Sequence, residues 1–194
     1  MSRVRCFVGL PLPAEVVRPL VSACETVRRE APAWREEKWV AEANLHVTVA
    51  FFGSVAEEAV PGLLGAVGAA VGGSVAFDLR FTRVRAVPGP QRCRMLWADF
   101  DDTDGLCALL ADRVLRAAQP FGAEIPDRPF HAHVTLARAR HPRALAARAV
   151  EAAERVAQRV PETMSVASAT LFASTLTPAG SVYEILGNWP LGSA

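Results

Sequence analysis

The chain has 194 residues, 51% of them hydrophobic, and a formal net charge of +1. That is enough apolar material for a sizeable core, in one compact domain or two small lobes. The near-neutral balance excludes a nonspecific nucleic-acid coat or a membrane-surface protein, so any nucleic-acid chemistry must be local, at a pocket that takes an end or a small fragment.

No stretch qualifies as a membrane span. The opening "MSRVRCFVGLPLP" has only a short apolar run, broken by Pro11 and Pro13, which is too short for a secretion signal. A cytoplasmic location is expected. Cys6, Cys24, Cys93 and Cys107 form no CxxC pair or zinc-like spacing, and their mostly apolar neighbours predict buried, reduced thiols. Lys38 is the only lysine in an arginine-rich chain.

In chain order, "RVRCFVGL" alternates and predicts a strand. "PAEVVRPLVSACETVRRE" follows, with Val16, Leu20, Ala23 and Val27 at helical spacing and Pro19 near its first turn. "LHVTVAFF" predicts a strand, "AEEAVPGLLGAVGAAV" a helix and "SVAFDLRFTRVRAV" a long strand, ended by the turn signal "PGPQR". "CRMLWADF" predicts the next strand. Thr103 or Asp104 is positioned to cap a helix with Leu106, Leu110, Val114 and Ala117 on one face. "FHAHVTLAR" predicts a strand. Pro142 is expected to open a helix striped by Leu145, Ala149, Ala152, Val156 and Val160. "TMSVASATLFAS" and "SVYEIL" close the chain as strands, with "TLTPAG" turning between them.

Both halves therefore run strand, helix, strand, helix, strand, with a His-x-Thr in the middle strand. The motifs begin at 46 and 133, 87 positions apart, too far for a solenoid period. The expected architecture is α+β: one bilobal domain over 1–194, with repeats near 3–87 and 93–188. Two pseudo-symmetric lobes of antiparallel-rich sheet, with outer helices, enclose a central cleft.

On a strand, His46 and Thr48 share one face, together with Ala50 and Phe52, while Leu45, Val47, Val49 and Phe51 share the other. His133, Thr135 and Ala137 repeat the division. Brought across one cleft, two imidazoles and two hydroxyls suit phosphate-ester chemistry. A neutral ring takes a proton from water, a charged ring gives one to a departing alkoxide, and hydroxyls bond the nonbridging oxygens. Spacing alone does not say which histidine is acid and which is base.

The chain resembles the 2H phosphoesterase superfamily, defined by paired His-x-Thr-x motifs, and within it the RNA 2′,3′-cyclic phosphodiesterases once called 2′-5′ RNA ligases. The likeness rests on "RVRCFVGLPLP", "KWVAEANLHVTVAFFG", "PFHAHVTLAR" and "LFASTLTPAGSVYEIL" and covers nearly the whole chain. Ala132 stands where proline is frequent, and "VAFFG" where a lysine-containing "LKFLG" is common. The resemblance implies hydrolysis of 2′,3′-cyclic phosphates to 2′-phosphates, with His46 as proton donor and His133 as proton acceptor. It implies that Thr48, Thr135 and Arg138 bind the phosphate, that no cofactor or metal is needed, and that reversible, ATP-independent 2′-5′ joining is a secondary activity. The implied partners are RNA ends such as those of tRNA fragments, or small cyclic nucleotides.

Strict alternation sets Arg138 on the face away from His133. His131 shares the face of His133, so a rival reading is a metal hydrolase using His46, His131 and His133; another is a noncatalytic RNA-end binding module. His141, before Pro142, is expected to be exposed. Phe7, Trp39 and Phe52 are candidates for stacking a nucleobase, Phe52 foremost because it shares the polar face. A monomer is expected.

Overall fold

A computed structural model describes residues 2–177 and 180–192. The turn expected at Pro178 and Ala179 lies outside the described residues. The strands are β1 (Arg3–Pro11), β2 (Lys38–Trp39), β3 (His46–Ala56), β4 (Phe77–Val87), β5 (Cys93–Asp101), β6 (His133–Arg143), β7 (Thr163–Val166), β8 (Ser168–Thr177) and β9 (Gly180–Pro190). The helices are α1 (Ala14–Glu30), α2 (Val60–Gly72), α3 (Leu106–Ala118) and α4 (Ala147–Ala157).

All the strands join one curled antiparallel sheet in the order β7-β4-β5-β6-β3-β1-β8-β9, with β2 paired to β6. The motif strands β3 and β6 are the innermost pair. They meet at one backbone pair, Val47 with Val134. Both valines are fully buried, because their face of the sheet is the one the helices cover. On that face α1 packs against α4 and α2 against α3. The halves of the sheet are not the halves of the chain. β4 crosses over to sit with β5, β6 and β7, and β8 and β9 return to sit beside β1.

In α1, Val16, Leu20, Ala23 and Val27 are buried, as their spacing predicts. Three boundaries differ from expectation. The α3 cap is the Asp102 carboxylate, which accepts the Cys107 and Ala108 N–H groups; Gly105, at φ +69°, makes the entry turn. Pro142 does not open a helix: β6 runs through it to Arg143, and α4 starts at Ala147 with Ala149, Ala153 and Ala157 buried. His141 is exposed at this strand end. "TMSVASATLFAS" is two strands on opposite sides of the sheet, since β7 pairs with β4 and β8 with β1. Alternation alone does not reveal such a crossing, because both segments carry the same pattern. The four cysteines are buried and unpaired, and burial pushes the Cys24 thiol up to about 12.

Candidate active site

Antiparallel counting outward from Val47 and Val134 sets Thr48 across from His133 and His46 across from Thr135. The two histidines are thus diagonal to one another across the strand pair. Beyond the valine pair β3 and β6 share no backbone pairing, and the sheet face turned away from the buried valines is the cleft face. The four predicted groups, all half-buried, sit on that face.

Each ring is fixed in the same way. His46 Nδ1 lies 2.7 Å from the Asn44 carbonyl, and His133 Nδ1 lies 2.8 Å from the His131 carbonyl, both two residues back along the chain. A carbonyl only accepts, so in the neutral ring Nδ1 carries the proton and Nε2 is left as the free base. The Thr48 hydroxyl donates to His46 Nε2 at 3.0 Å. Asn44 is itself anchored, its side-chain amide donating to the Ser181 carbonyl of β9 at 2.7 Å.

The ring surroundings differ. His46 stacks on Phe7 at 4.8 Å between centroids and meets the edge of Tyr183 at 5.6 Å. Gly9 makes this fit possible: a Cβ there would come within 2.8 Å of His46 Cδ2. His133 stacks on Trp97 at 3.8 Å, and the Arg85 guanidinium lies 5.3 Å over the other ring system of that contact, the indole itself. Burial, the leading cause, holds both histidines below their ordinary value. Their hydrogen bonds to carbonyls oppose this, and the Arg138 charge adds to the lowering at both. At His133, Asp99 pulls up and His131 pushes down.

Two β-bulges decide which residues follow the motifs into the cleft. In β6, Thr135 pairs with Trp97 and Ala137 with Leu96, leaving Leu136 extra. The extra residue resets the alternation. Arg138, paired with Met95, therefore returns to the cleft face, against the strict-alternation expectation. In β3, Thr48 pairs with Gly9 and Ala50 with Val8, leaving Val49 extra. Phe51 accordingly turns to the cleft side, 49% exposed beneath the Arg5 guanidinium, and Phe52 turns into the core at 4%. The structure thus corrects Phe52 as a stacking candidate and supplies Phe51, one residue away.

Phe7 is buried under His46, and Trp39 is half-buried, its indole N–H donating to the Trp34 carbonyl and Arg28 lying over its ring. His131 does not join a three-imidazole cluster. Its Nε2 lies 3.1 Å from Asp99 Oδ1, and no metal-holding group of three such side chains forms among the described residues. Asp99, Trp97, Arg85 and Tyr183 carry no motif signal in the sequence; only the cross-strand register brings them to the cleft. Two cavities flank the histidines. One of about 390 Å³ is lined by Leu12, Arg18, Asn44, His46 and Tyr183. The other, of about 510 Å³, is lined by Arg83, Asp99, Phe130 and His131.

Residues 17–175 match the family model of the 2'-5' RNA ligase superfamily. The RNA 2',3'-cyclic phosphodiesterase of Aeropyrum pernix is 31% identical over 156 residues, which are 77% of this chain and 83% of that protein. The RNA 2',3'-cyclic phosphodiesterase of Methanothermobacter thermautotrophicus is 28% identical over 188 residues, 93% of this chain and 95% of that one. Among solved structures, TT0787 of Thermus thermophilus superposes with a TM-score of 0.77 at 28% identity, covering 97% of this chain and 98% of its own.

Proposed function

The chain belongs to the 2'-5' RNA ligase superfamily, and from that premise we propose that it hydrolyses 2′,3′-cyclic phosphates at RNA ends to 2′-phosphates. The observation that carries the reading is the matched pair of rings, each with Nδ1 tied to a carbonyl, so that Nε2 is the titrating nitrogen in both; at His46 it meets the Thr48 hydroxyl of the same motif. A binding module needs no such pair.

In the proposed step, water stands on the His133 side of phosphorus and the 3′ oxygen on the His46 side. His133 Nε2 takes a proton from the water as its oxygen bonds to phosphorus. The bond from phosphorus to the 3′ oxygen breaks, and His46, protonated at Nε2, gives its proton to that oxygen. The products are a 2′-phosphate and a 3′-hydroxyl. Thr48 and Thr135 donate to the nonbridging oxygens, and Arg138 offsets the charge that gathers on them. Donor and acceptor are both side chains, so the step requires no metal. With an RNA 5′-hydroxyl leaving or attacking in place of water, the same groups run 2′-5′ cleavage or joining. Phe51 presents an aromatic face for the terminal base.

The test is incubation with an oligoribonucleotide ending in a 2′,3′-cyclic phosphate, with and without EDTA, and identification of the product phosphate. Chelator-resistant formation of a 2′-phosphate is expected. A 3′-phosphate product, or turnover abolished by chelation, would defeat the reading.

A further inference from the structure

Asp99 is a carboxylate in the middle of β5 with only 3% exposure, and the motif residues leave it without a role. It pairs directly with His133 across the strands. A buried carboxylate is costly unless it is paired and hydrogen-bonded. Asp99 meets this condition with three partners: Arg85, whose Nε donates to Oδ2; Arg83, with Nε at 3.7 Å; and His131, with Nε2 at 3.1 Å from Oδ1.

Two of these partners lead to His133. The His131 side chain is held by Asp99, while its carbonyl receives the His133 Nδ1 proton. Arg85 lies over Trp97, and Trp97 is the stacking floor of His133. The Trp97 indole nitrogen is buried with no hydrogen-bond partner, so Arg85 and the stacked ring, not a polar anchor, set that indole's position. His46 has no such arrangement. Its stacking partner is Phe7, and the neighbouring cleft position on β1 is Gly9. The two half-sites thus share the pinned tautomer and differ in the carboxylate.

We propose that Asp99 is a positioning residue, acting through His131 and through Arg85 and Trp97 to fix the His133 ring and to stabilise the imidazolium formed when that ring takes the water's proton. The inference rests on His133 being the proton acceptor. It supplies a physical reason for the assignment: a base that becomes a cation gains from a nearby carboxylate, and a donor that loses its charge gains nothing. The charged and titratable groups around His133 are Asp99 from β5, Arg138 from β6, His131 just before β6 and His46 from β3, with Arg83 and Arg85 from β4 behind them on Asp99. Asp99 is the one anion among them, so its removal leaves the ring among cations only.

The experiment is Asp99→Asn, a near-isosteric change, read by steady-state kinetics on the cyclic-phosphate oligoribonucleotide and by NMR titration of the histidine rings. We expect kcat to fall about 10- to 100-fold with KM within about threefold, as for loss of groups that orient a reacting side chain. The His133 ring should titrate at lower pH while His46 stays where it was. Arg85→Gln, which removes a cation from the same cluster, should move His133 the opposite way; it serves as a second reading should Asp99→Asn not fold. A folded Asp99→Asn enzyme with kcat within twofold of the parent, or a His133 titration unmoved in both variants, would overturn the proposal. His133→Ala tests the premise separately: full turnover in that variant removes the acceptor role, whatever Asp99→Asn does.

Discussion

At the scale of single residues, one position separates a surface for substrate from a piece of the core. Phe51 and Phe52 are identical in chemistry and opposite in environment. Phe52→Ala removes a ring from a packed interior, with an expected loss of about 3–5 kcal/mol of stability. Phe51→Ala should change stability by no more than about 0.5 kcal/mol, as for a surface site, while raising KM for a cyclic-phosphate substrate. Urea unfolding of the two variants beside their kinetics checks both statements; equal destabilisation would mean the β3 bulge is misplaced. The histidines make a second prediction. A bell-shaped kcat/KM profile reports the free enzyme's acid and base, and burial holds both rings below their ordinary value. The rate should therefore peak on the acid side of about pH 6.5, with the alkaline limb falling as the donor deprotonates. An alkaline limb centred above about pH 7.5 would contradict this. Replacing either His46 or His133 by alanine should cost about 10²- to 10⁴-fold in kcat, the usual worth of one general acid or base.

Elements place these residues, and here the sequence was legible up to the first irregularity. Val16, Leu20, Ala23 and Val27 mark the buried face of α1 because a regular helix preserves its period along the whole segment. His46 and Thr48, like His133 and Thr135, could be read as facing one way because they precede the bulges. Beyond Val49 and Leu136 the extra residue reverses the alternation, and so Phe52 and Arg138 lie on the faces opposite to those that strict alternation gives them. A bulge is set by the pairing of two distant strands and leaves little trace in either one alone. The helix expected at Pro142 failed for a related reason: the end of β6 is held from outside, by Glu37 bonding the Arg140 N–H and the Arg143 guanidinium. Gly9 tests the element scale directly. It pairs with Thr48 on β3 and gives the His46 ring its space. In Gly9→Ala the added Cβ must push aside a ring already held by Asn44 and Phe7. A displacement near 1 Å is expected to lower kcat about 100-fold. Retained kcat with His46 in place in a structure of that variant would show that the β1 backbone yields instead.

For the molecule as a whole, the fold brings its two chemical strands together at the centre of the sheet, with a helix-covered core on one face and half-buried histidines on the other, and this couples catalysis to stability. The buried residues of the helices, among them Leu20, Leu63, Leu110 and Ala149, join Val47 and Val134 in one core. The histidines sit on the opposite face, yet are still enclosed enough to resist protonation. A histidine whose folded value lies below its unfolded one makes the unfolded chain bind more protons over that interval. Stability is then full above about pH 6.5 and declines as pH falls through the interval toward the folded values. Urea midpoints should thus drop between pH 7.5 and 5.5, before ordinary carboxylates titrate. The double variant His46→Gln, His133→Gln should flatten that slope, whatever its effect on the midpoint at pH 7.5. An unchanged slope in the double variant would assign the pH dependence to other groups and imply that the cleft is wetter than its packing indicates. Openness of that kind would also raise the proton affinity of both rings, so the acid-side optimum of the rate and the acid-side loss of stability must appear together or fail together.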